Sequence, residues 1–441
     1  MSETAAKVKV AYLTAGAAGM YCGSCMRDNT LAAALRSLDV DVQLIPTYTP
    51  IRTDEDNVSV DHIAYGGINV YLQQRFALFR WLPAWMDGWI DRPWVINRFV
   101  DGNIETDASH LGDLAVSMLR GTHGYQRKEV RKLVAWLKSE VQPDLINLSN
   151  MLIGGCIPAL QEALNIPILV TLQGDDIFLD ELPEPQKSQA FEEIRQLVQH
   201  VDGFIVFSQF YAEYMGEYFG IPADKFHIVP LGIDTRDFQA EPPLVERVPT
   251  VGYLARLAPE KGLHRLVDAF LLLREHHGMD DAHLLIAGWL GGSNKAYAQE
   301  QFHRLESAGL AASFEYVGEV DRQGKLDFLH NIDVLSVPTV YHDPKGLFAL
   351  EALAAGVPVV LPEHGAFTEL VTATAGGQLV RPGDAEHLAD TLFELLLDRG
   401  RCRDLGRTGR DIVHAKFNAQ SAARATLDVY QQFLTTSTSH A

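Results

Sequence analysis

Two acids, two cations and a pair of helix starts carry the chemistry of this chain. In PTVYHDPKGLFALEALAAGVPVV, residues 338–360, Asp343 and Glu351 stand eight apart. An apolar run precedes Asp343, a loop with Pro344 and Gly346 follows it, and an Ala/Leu-rich helical pattern opens at once. Strand, loop and helix start are how a parallel sheet builds a ligand site at its carboxyl edge. A helix N-terminus offers unpaired N–H groups to an anion. Acids beside such a terminus suit a ligand with phosphate at one end and hydroxyls at the other, and a nucleotide-sugar has that form. In VGYLARLAPEKGLHRLVDAF, residues 251–270, Arg256 and Lys261 fall between another apolar run and another helical pattern. Arg presents a planar fork of donors and Lys a point charge, so the two beside a glycine make a diphosphate cradle. Two solvated loop cations are the plainer alternative.

The elements that must hold these residues alternate from end to end. Short apolar runs predict strands at 8–14, 40–46, 144–148, 168–172, 203–207 and 227–230, then at 250–255, 283–287, 313–317, 333–337, 357–361 and 378–380. Most are apolar throughout rather than alternating, which implies burial on both faces and parallel pairing. Amphipathic helical patterns such as 125–141 and 263–275 lie between them. The fold class read from this rhythm is α/β, two doubly wound Rossmann-like domains. The polar, proline-bearing stretch 232–249 separates the two series, giving domains of 1–240 and 241–417.

Bulk composition narrows the partners. A chain of 441 residues is too long for one ordinary core. Its net charge of −20 argues against nucleic acid and against an anionic membrane surface. Four cysteines make no disulfide scaffold. No apolar run approaches the ~20 residues of a membrane span, and the first residues lack a signal-peptide pattern, so the expected compartment is the cytoplasm.

The two chemical segments also carry a family resemblance. GYLARLAPEKG resembles the G-R-L-x-x-x-K-G loop of retaining glycosyltransferases of family 4, and HDPKGLFALEALAAGVPVV resembles their E-x-F-G-L-x-x-x-E-A-x-A-x-G-x-P-V-V segment. FIVFSQFYAEYMGEYFGIPADKFHIVPLGIDTRDF is similar to the end of that family's first domain. The likeness is specific over roughly 200–435 and loose before it. It implies the GT-B architecture, with the active-site cleft between the domains, acceptor bound by the first and donor by the second, and a helix over 418–436 packing back onto the first. It implies a hexosyltransferase that moves a hexose from a nucleotide-sugar to a hydroxyl acceptor, saccharide or small molecule, with retention. No H-x-x-x-H or other metal-ligand cluster stands out in the sequence, so neither a metal nor a cofactor is expected. Arg256 and Lys261 would stabilise the leaving diphosphate, Glu351 would hold the ribose, and Asp343 would face the hexose. The N–H groups of Gly346 and Leu347 would meet the distal phosphate. Two positions depart from the pattern: Asp343 stands for Glu, and Lys345 for an aromatic residue. Another GT-B enzyme, a phosphorylase or epimerase, and a non-catalytic nucleotide-sugar binder are the alternatives.

The first domain is less explicit. Its opening loop spaces glycines as G-x-x-G-x-x-x-G from Gly16, not the G-x-G-x-x-G of a dinucleotide turn, and no acid marks the end of the second strand. The family places this loop beside donor phosphate, which selects Gly16 and Gly19. Gly66 and Gly67 form a second glycine pair at a helical pattern. Cys22 and Cys25 form C-x-x-C, read as a redox pair, a half metal site or, more simply, two small residues at a crowded turn. Trp81, Trp85, Trp89 and Trp94 form an aromatic stripe, either a packed face or an acceptor platform. Gln173 stands where many relatives have His near the transferred sugar. Asn150, Gln173 and Asp175 are the acceptor candidates, with Asp176 beside them. His342 and His364 flank the acidic segment.

Overall fold

The computed structural model describes residues 7–16, 22–65, 70, 73–74, 108–238 and 248–438. Gly19, Gly66, Gly67 and the four clustered tryptophans lie outside them. Twelve strands are formed among the described residues. The first six are β1 (Lys9–Thr14), β2 (Asp41–Pro46), β3 (Leu145–Leu148), β4 (Ile168–Thr171), β5 (Gly203–Val206) and β6 (Phe226–Ile228). The second six are β7 (Thr250–Leu254), β8 (His283–Ala287), β9 (Phe314–Tyr316), β10 (Val334–Ser336), β11 (Val359–Pro362) and β12 (Gly377–Val380). Each set forms one parallel sheet, ordered β2-β1-β3-β4-β5-β6 and β12-β11-β10-β7-β8-β9. Every residue of β3, β4, β5, β7, β10 and β11 is buried. That is why these strands carry no alternation in the sequence.

A parallel neighbour needs a crossover, and each step within a sheet carries at least one helix. The helix at Leu263–Glu275 joins β7 to β8 and buries Leu263, Leu266, Val267, Phe270 and Leu273 on one face. Burying such side chains gives roughly 1.5–3 kcal/mol each. The helical pattern at 125–141 resolves into an α-helix, Arg127–Trp136, and a π-turn, Leu137–Val141, closed by Gln142 at a φ of +48°. In the π-turn the Gln142 N–H donates to the Leu137 carbonyl, five residues back.

The chain divides into two compact units, Met1–Pro230 with Gln420–Ala441, and Leu231–Ala419. The division falls after Pro230 rather than at 240 because Ile233 bridges Asn418, which ties the turn after β6 to the end of the second unit. The helix Ala419–Thr438 then completes the first unit, with the Phe433 ring 5.2 Å from that of His227.

Both sheet orders contain a reversal. In the first the chain steps from β1 outward to β2 and then back to β3. In the second it runs β7, β8, β9 in one direction and returns to β10 beside β7. Crossovers on opposite sides of such a pair leave a crevice outside the strands' carboxyl ends, where ligands bind in open α/β sheets. The segment after β7 carries Arg256 and Lys261, and the segment after β10 carries Asp343.

Candidate active site

In the second unit the reversal brings the two chemical loops together. Gly262 sits at a φ of +76°, and a Cβ there would fall on the carbonyl of Pro338, so the β7 loop lies directly on the end of β10. This contact sets the Lys261 Nζ 2.8 Å from Asp343 Oδ2. The same ammonium donates to the Tyr341 hydroxyl and lies 4.8 Å from that ring's centroid. Tyr341 donates in turn to Asp343 Oδ2 at 2.6 Å. The other carboxylate oxygen accepts from the backbone N–H groups of Lys345 at 2.9 Å and Gly346 at 3.1 Å. Asp343 is 3% exposed, so it has exchanged water for these four donors. Burial opposes its ionisation, but Lys261, Tyr341 and the backbone donors outweigh that and hold the carboxyl well below the usual range. An acid held this way stays charged at neutral pH, and its Oδ2 holds the Lys261 ammonium in place.

The N–H of Gly346 is therefore engaged, whereas among the described residues the N–H of Leu347 has no hydrogen-bond partner. It opens the helix Leu347–Ala354, which Gly346 caps at a φ of +72°. One turn on, Glu351 Oε1 accepts from Lys325 Nζ at 2.7 Å. Its second oxygen has no partner among the described residues, although the side chain is only 11% exposed. Arg256 Nη2 reaches Glu260 Oε1 at 2.5 Å and remains 39% exposed. Burial first, then Asp343, raise the Tyr341 hydroxyl well above its ordinary range, while the Arg256 charge lowers it, which places Arg256 within electrostatic reach of the pair. The second unit thus gathers Arg256, Lys261, Asp343, Leu347 and Glu351 at one sheet edge. Sequence reading missed Tyr341 and Lys325. Lys325 had one signal: a cation among the buried Leu326, Phe328 and Leu329 of the helix Arg322–His330.

The first unit gathers a different set of polar groups, among them the buried Arg27–Asp28 pair. Gly16 has a φ of +93°, and the place of its missing Cβ is taken by Thr49, so the β1 loop packs on the segment after β2. Gln173, after β4, donates through Nε2 to the Ser149 carbonyl and to Asp28 Oδ1, both at 3.0 Å. Asp28 is fully buried; it also accepts from Tyr12, from Thr14 and, at 3.2 Å, from the buried Arg27. Neither Arg27 nor Asp28 was singled out from sequence, since a charged pair on a helix reads as a solvated face. Asp175 accepts from the N–H groups of Met151 at 2.5 Å and Gln173 at 3.1 Å, joining the loops after β3 and β4. Burial pushes its carboxyl up to about 7, against the pull of those N–H groups. Asp176 accepts from Tyr211 at 2.7 Å. Asn150 caps the short turn Met151–Cys156 by accepting from Ile153 at 3.2 Å.

Neither Cys22 nor Cys25 is in a disulfide. A hydrogen bond with Cys22, followed by burial, pushes the Cys25 thiol far up, which leaves it a poor nucleophile. Among the described residues no three His, Cys, Asp or Glu side chains converge as metal ligands. Nor is any described helix long and apolar enough to cross a membrane. His342 and His364 meet edge to face at 5.1 Å beside the Asp343 loop.

Comparison with known proteins agrees with this geometry. Residues 95–237 match the profile "Glycosyltransferase Family 4", and residues 234–412 match "Glycosyl transferases group 1". A glycogen synthase of Mycobacterium tuberculosis is 28% identical over 296 residues, 66% of this chain and 69% of its own. A D-inositol 3-phosphate glycosyltransferase of Xylanimonas cellulosilytica is 27% identical over 341 residues, 73% of this chain and 78% of its own. Among solved structures, sucrose-phosphate synthase from Thermosynechococcus elongatus superposes with a TM-score of 0.72 at 20% identity, covering 97% of this chain and all of that one, a likeness of fold.

Proposed function

Because the chain belongs to the family 4, group 1 glycosyltransferases, we propose that it moves a hexose from a nucleotide-diphosphate sugar to a hydroxyl acceptor, with retention at the anomeric carbon. The observation that carries this reading is the buried Lys261–Asp343 pair at the β7/β10 reversal, beside the unpartnered Leu347 N–H and the half-satisfied Glu351. As the glycosidic bond breaks, negative charge develops on the departing diphosphate. Lys261, already oriented by Asp343 and Tyr341, meets that charge without reorganising, and Arg256 and the Leu347 N–H add two further donors. The free oxygen of Glu351 accepts from the ribose hydroxyls. Asp343 is committed to Lys261, so its part is to position the ammonium rather than to exchange protons with the sugar.

Acceptor recognition is assigned to the first unit, to the loops after β3 and β4 that carry Asn150, Gln173 and Asp175. The Gln173 amide is oriented by Asp28 and Ser149, which leaves its buried, unpartnered oxygen as the group able to accept a hydrogen bond from an acceptor hydroxyl. Charge neutralisation by Arg256 and Lys261 makes a metal ion unnecessary in this scheme, so turnover in excess chelator should equal turnover without it. Activity that vanishes with chelator and returns with a divalent ion refutes that part.

The reading as a whole is tested by thermal shift with UDP-, GDP- and ADP-sugars. A ligand of the native state raises the melting temperature by mass action. A rise with one nucleotide-sugar, abolished by Glu351→Ala, is the expected result. No rise with any of them removes the donor site from the second unit.

A further inference from the structure

A cavity opens in the second unit, and neither Arg256, Lys261, Asp343 nor Glu351 lines it. Its volume is 230 Å³, below the ~300 Å³ at which drug-sized ligand pockets begin. The walls are the segments leaving β10, β11 and β12, including Thr339, His364, Arg381, Gly383 and Asp384, together with Arg265 from the first turn of the helix Leu263–Glu275. Arg381 and Asp384 pair with each other at 2.8 Å, and Asp384 also caps the helix Ala385–Leu397. Among the described residues, Arg265 pairs with no carboxylate and its side chain makes no hydrogen bond. The pocket lining therefore includes one uncompensated guanidinium and a carboxylate–guanidinium pair able both to accept from and to donate to hydroxyls.

We propose that this cavity binds a small phosphorylated polyol, with its phosphate on Arg265 and its hydroxyls on the Arg381–Asp384 pair. The site is wired to the donor loop. The His364 ring, in the cavity wall, is bonded through Nε2 to the Thr339 carbonyl at 2.9 Å. Two residues on, the Ala366 N–H donates to the Asp343 carbonyl at 2.9 Å. Between them Gly365, at a φ of +61°, presses on the backbone of Asp343. A ligand that braces Thr339 and His364 braces the loop that aims Lys261, so occupancy feeds into donor affinity.

Titration calorimetry with glucose 6-phosphate, against inorganic phosphate and a chloride control of equal ionic strength, decides the matter. The expected result is saturable binding of glucose 6-phosphate that Arg265→Ala weakens at least tenfold and Lys261→Ala leaves in place. Arg381→Ala, at an exposed position that does not endanger folding, should weaken it as well. Binding lost in Lys261→Ala and kept in Arg265→Ala puts the probe in the donor cradle and overturns the proposal. Inorganic phosphate binding as tightly as the sugar phosphate overturns the polyol assignment. An unchanged isotherm in both arginine variants, or no saturable binding at all, overturns the site.

Discussion

The side chains of Lys261 and Asp343 are 17% and 5% exposed, and each is the other's counter-charge. Removing one partner of such a pair costs about 3–5 kcal/mol, because the remaining charge stays buried without its counter-ion. Lys261→Ala is thus expected to lose both turnover and stability, and activity alone does not separate the two effects. The double variant Lys261→Ala/Asp343→Asn separates them. Asn keeps an oxygen for the Lys345 and Gly346 N–H groups but carries no charge, so much of the stability returns. Turnover stays low, by about 10²–10³-fold, as when one preorganised transition-state donor is removed. Urea denaturation and steady-state rates on the same preparations check this. Recovery of rate along with stability would reduce Lys261 to a structural residue.

At the scale of elements, Asp175 joins the loop after β3 to the loop after β4, and it does so at a cost that depends on pH. Its carboxyl is raised to about 7 by burial, from ~3.9 in an unfolded chain. Between those values the folded state binds the extra proton, so the slope of unfolding free energy against pH is negative. Its contribution is full below about pH 4 and is lost as pH rises through 7. Asp175→Asn stays neutral throughout, so its stability relative to wild type should improve across that window. Parallel curves from pH 4 to 8 would show that Asp175 titrates normally. The strands that aim these loops were legible in the sequence, because strands buried on both faces leave uninterrupted apolar runs. All twelve expected runs form strands, shifted by a residue or two at their ends. The loop residues that perform chemistry were legible by type and spacing. Their partners were not. Asp28 is met by Tyr12, Thr14 and Gln173, and Glu351 by Lys325, all distant in sequence, and a lone charge on a helix carries no mark of whether it will be buried. The π-turn at Leu137–Val141 escaped for a related reason: its extra residue keeps the helical periodicity nearly intact.

For the molecule as a whole, the chain's last helix decides how the units fold. Ala419–Thr438 belongs to the first unit although the whole second unit separates them in sequence. Ala423 and Tyr430 are fully buried and Val429 nearly so, Gln420 donates to Ser37 at 2.8 Å, and Phe433 covers Gly203 in β5. Tyr430 also stands close enough to the buried Arg27–Asp28 pair that the two charges act on its hydroxyl in opposite senses. A chain ending at residue 418 strips these side chains from the first unit at roughly 1.5–3 kcal/mol for each large one. Against the 5–15 kcal/mol that holds an ordinary domain, that leaves the first unit marginal, with Arg27 and Asp28 open to water. The second unit keeps nearly all of its own contacts: at the Ile233–Asn418 bridge it loses the Ala419 N–H bond to the Ile233 carbonyl and keeps the Ile233 N–H bond to Phe417. Calorimetry of the truncated chain should show one transition at its full-length temperature and another lowered by many degrees or missing. The surviving transition should still rise with the donor nucleotide-sugar, because Arg256, Lys261, Leu347 and Glu351 all lie in the second unit. A truncated chain with both transitions unmoved would show that the helix is an appendage. A surviving transition blind to the donor would show that the second unit cannot bind it alone.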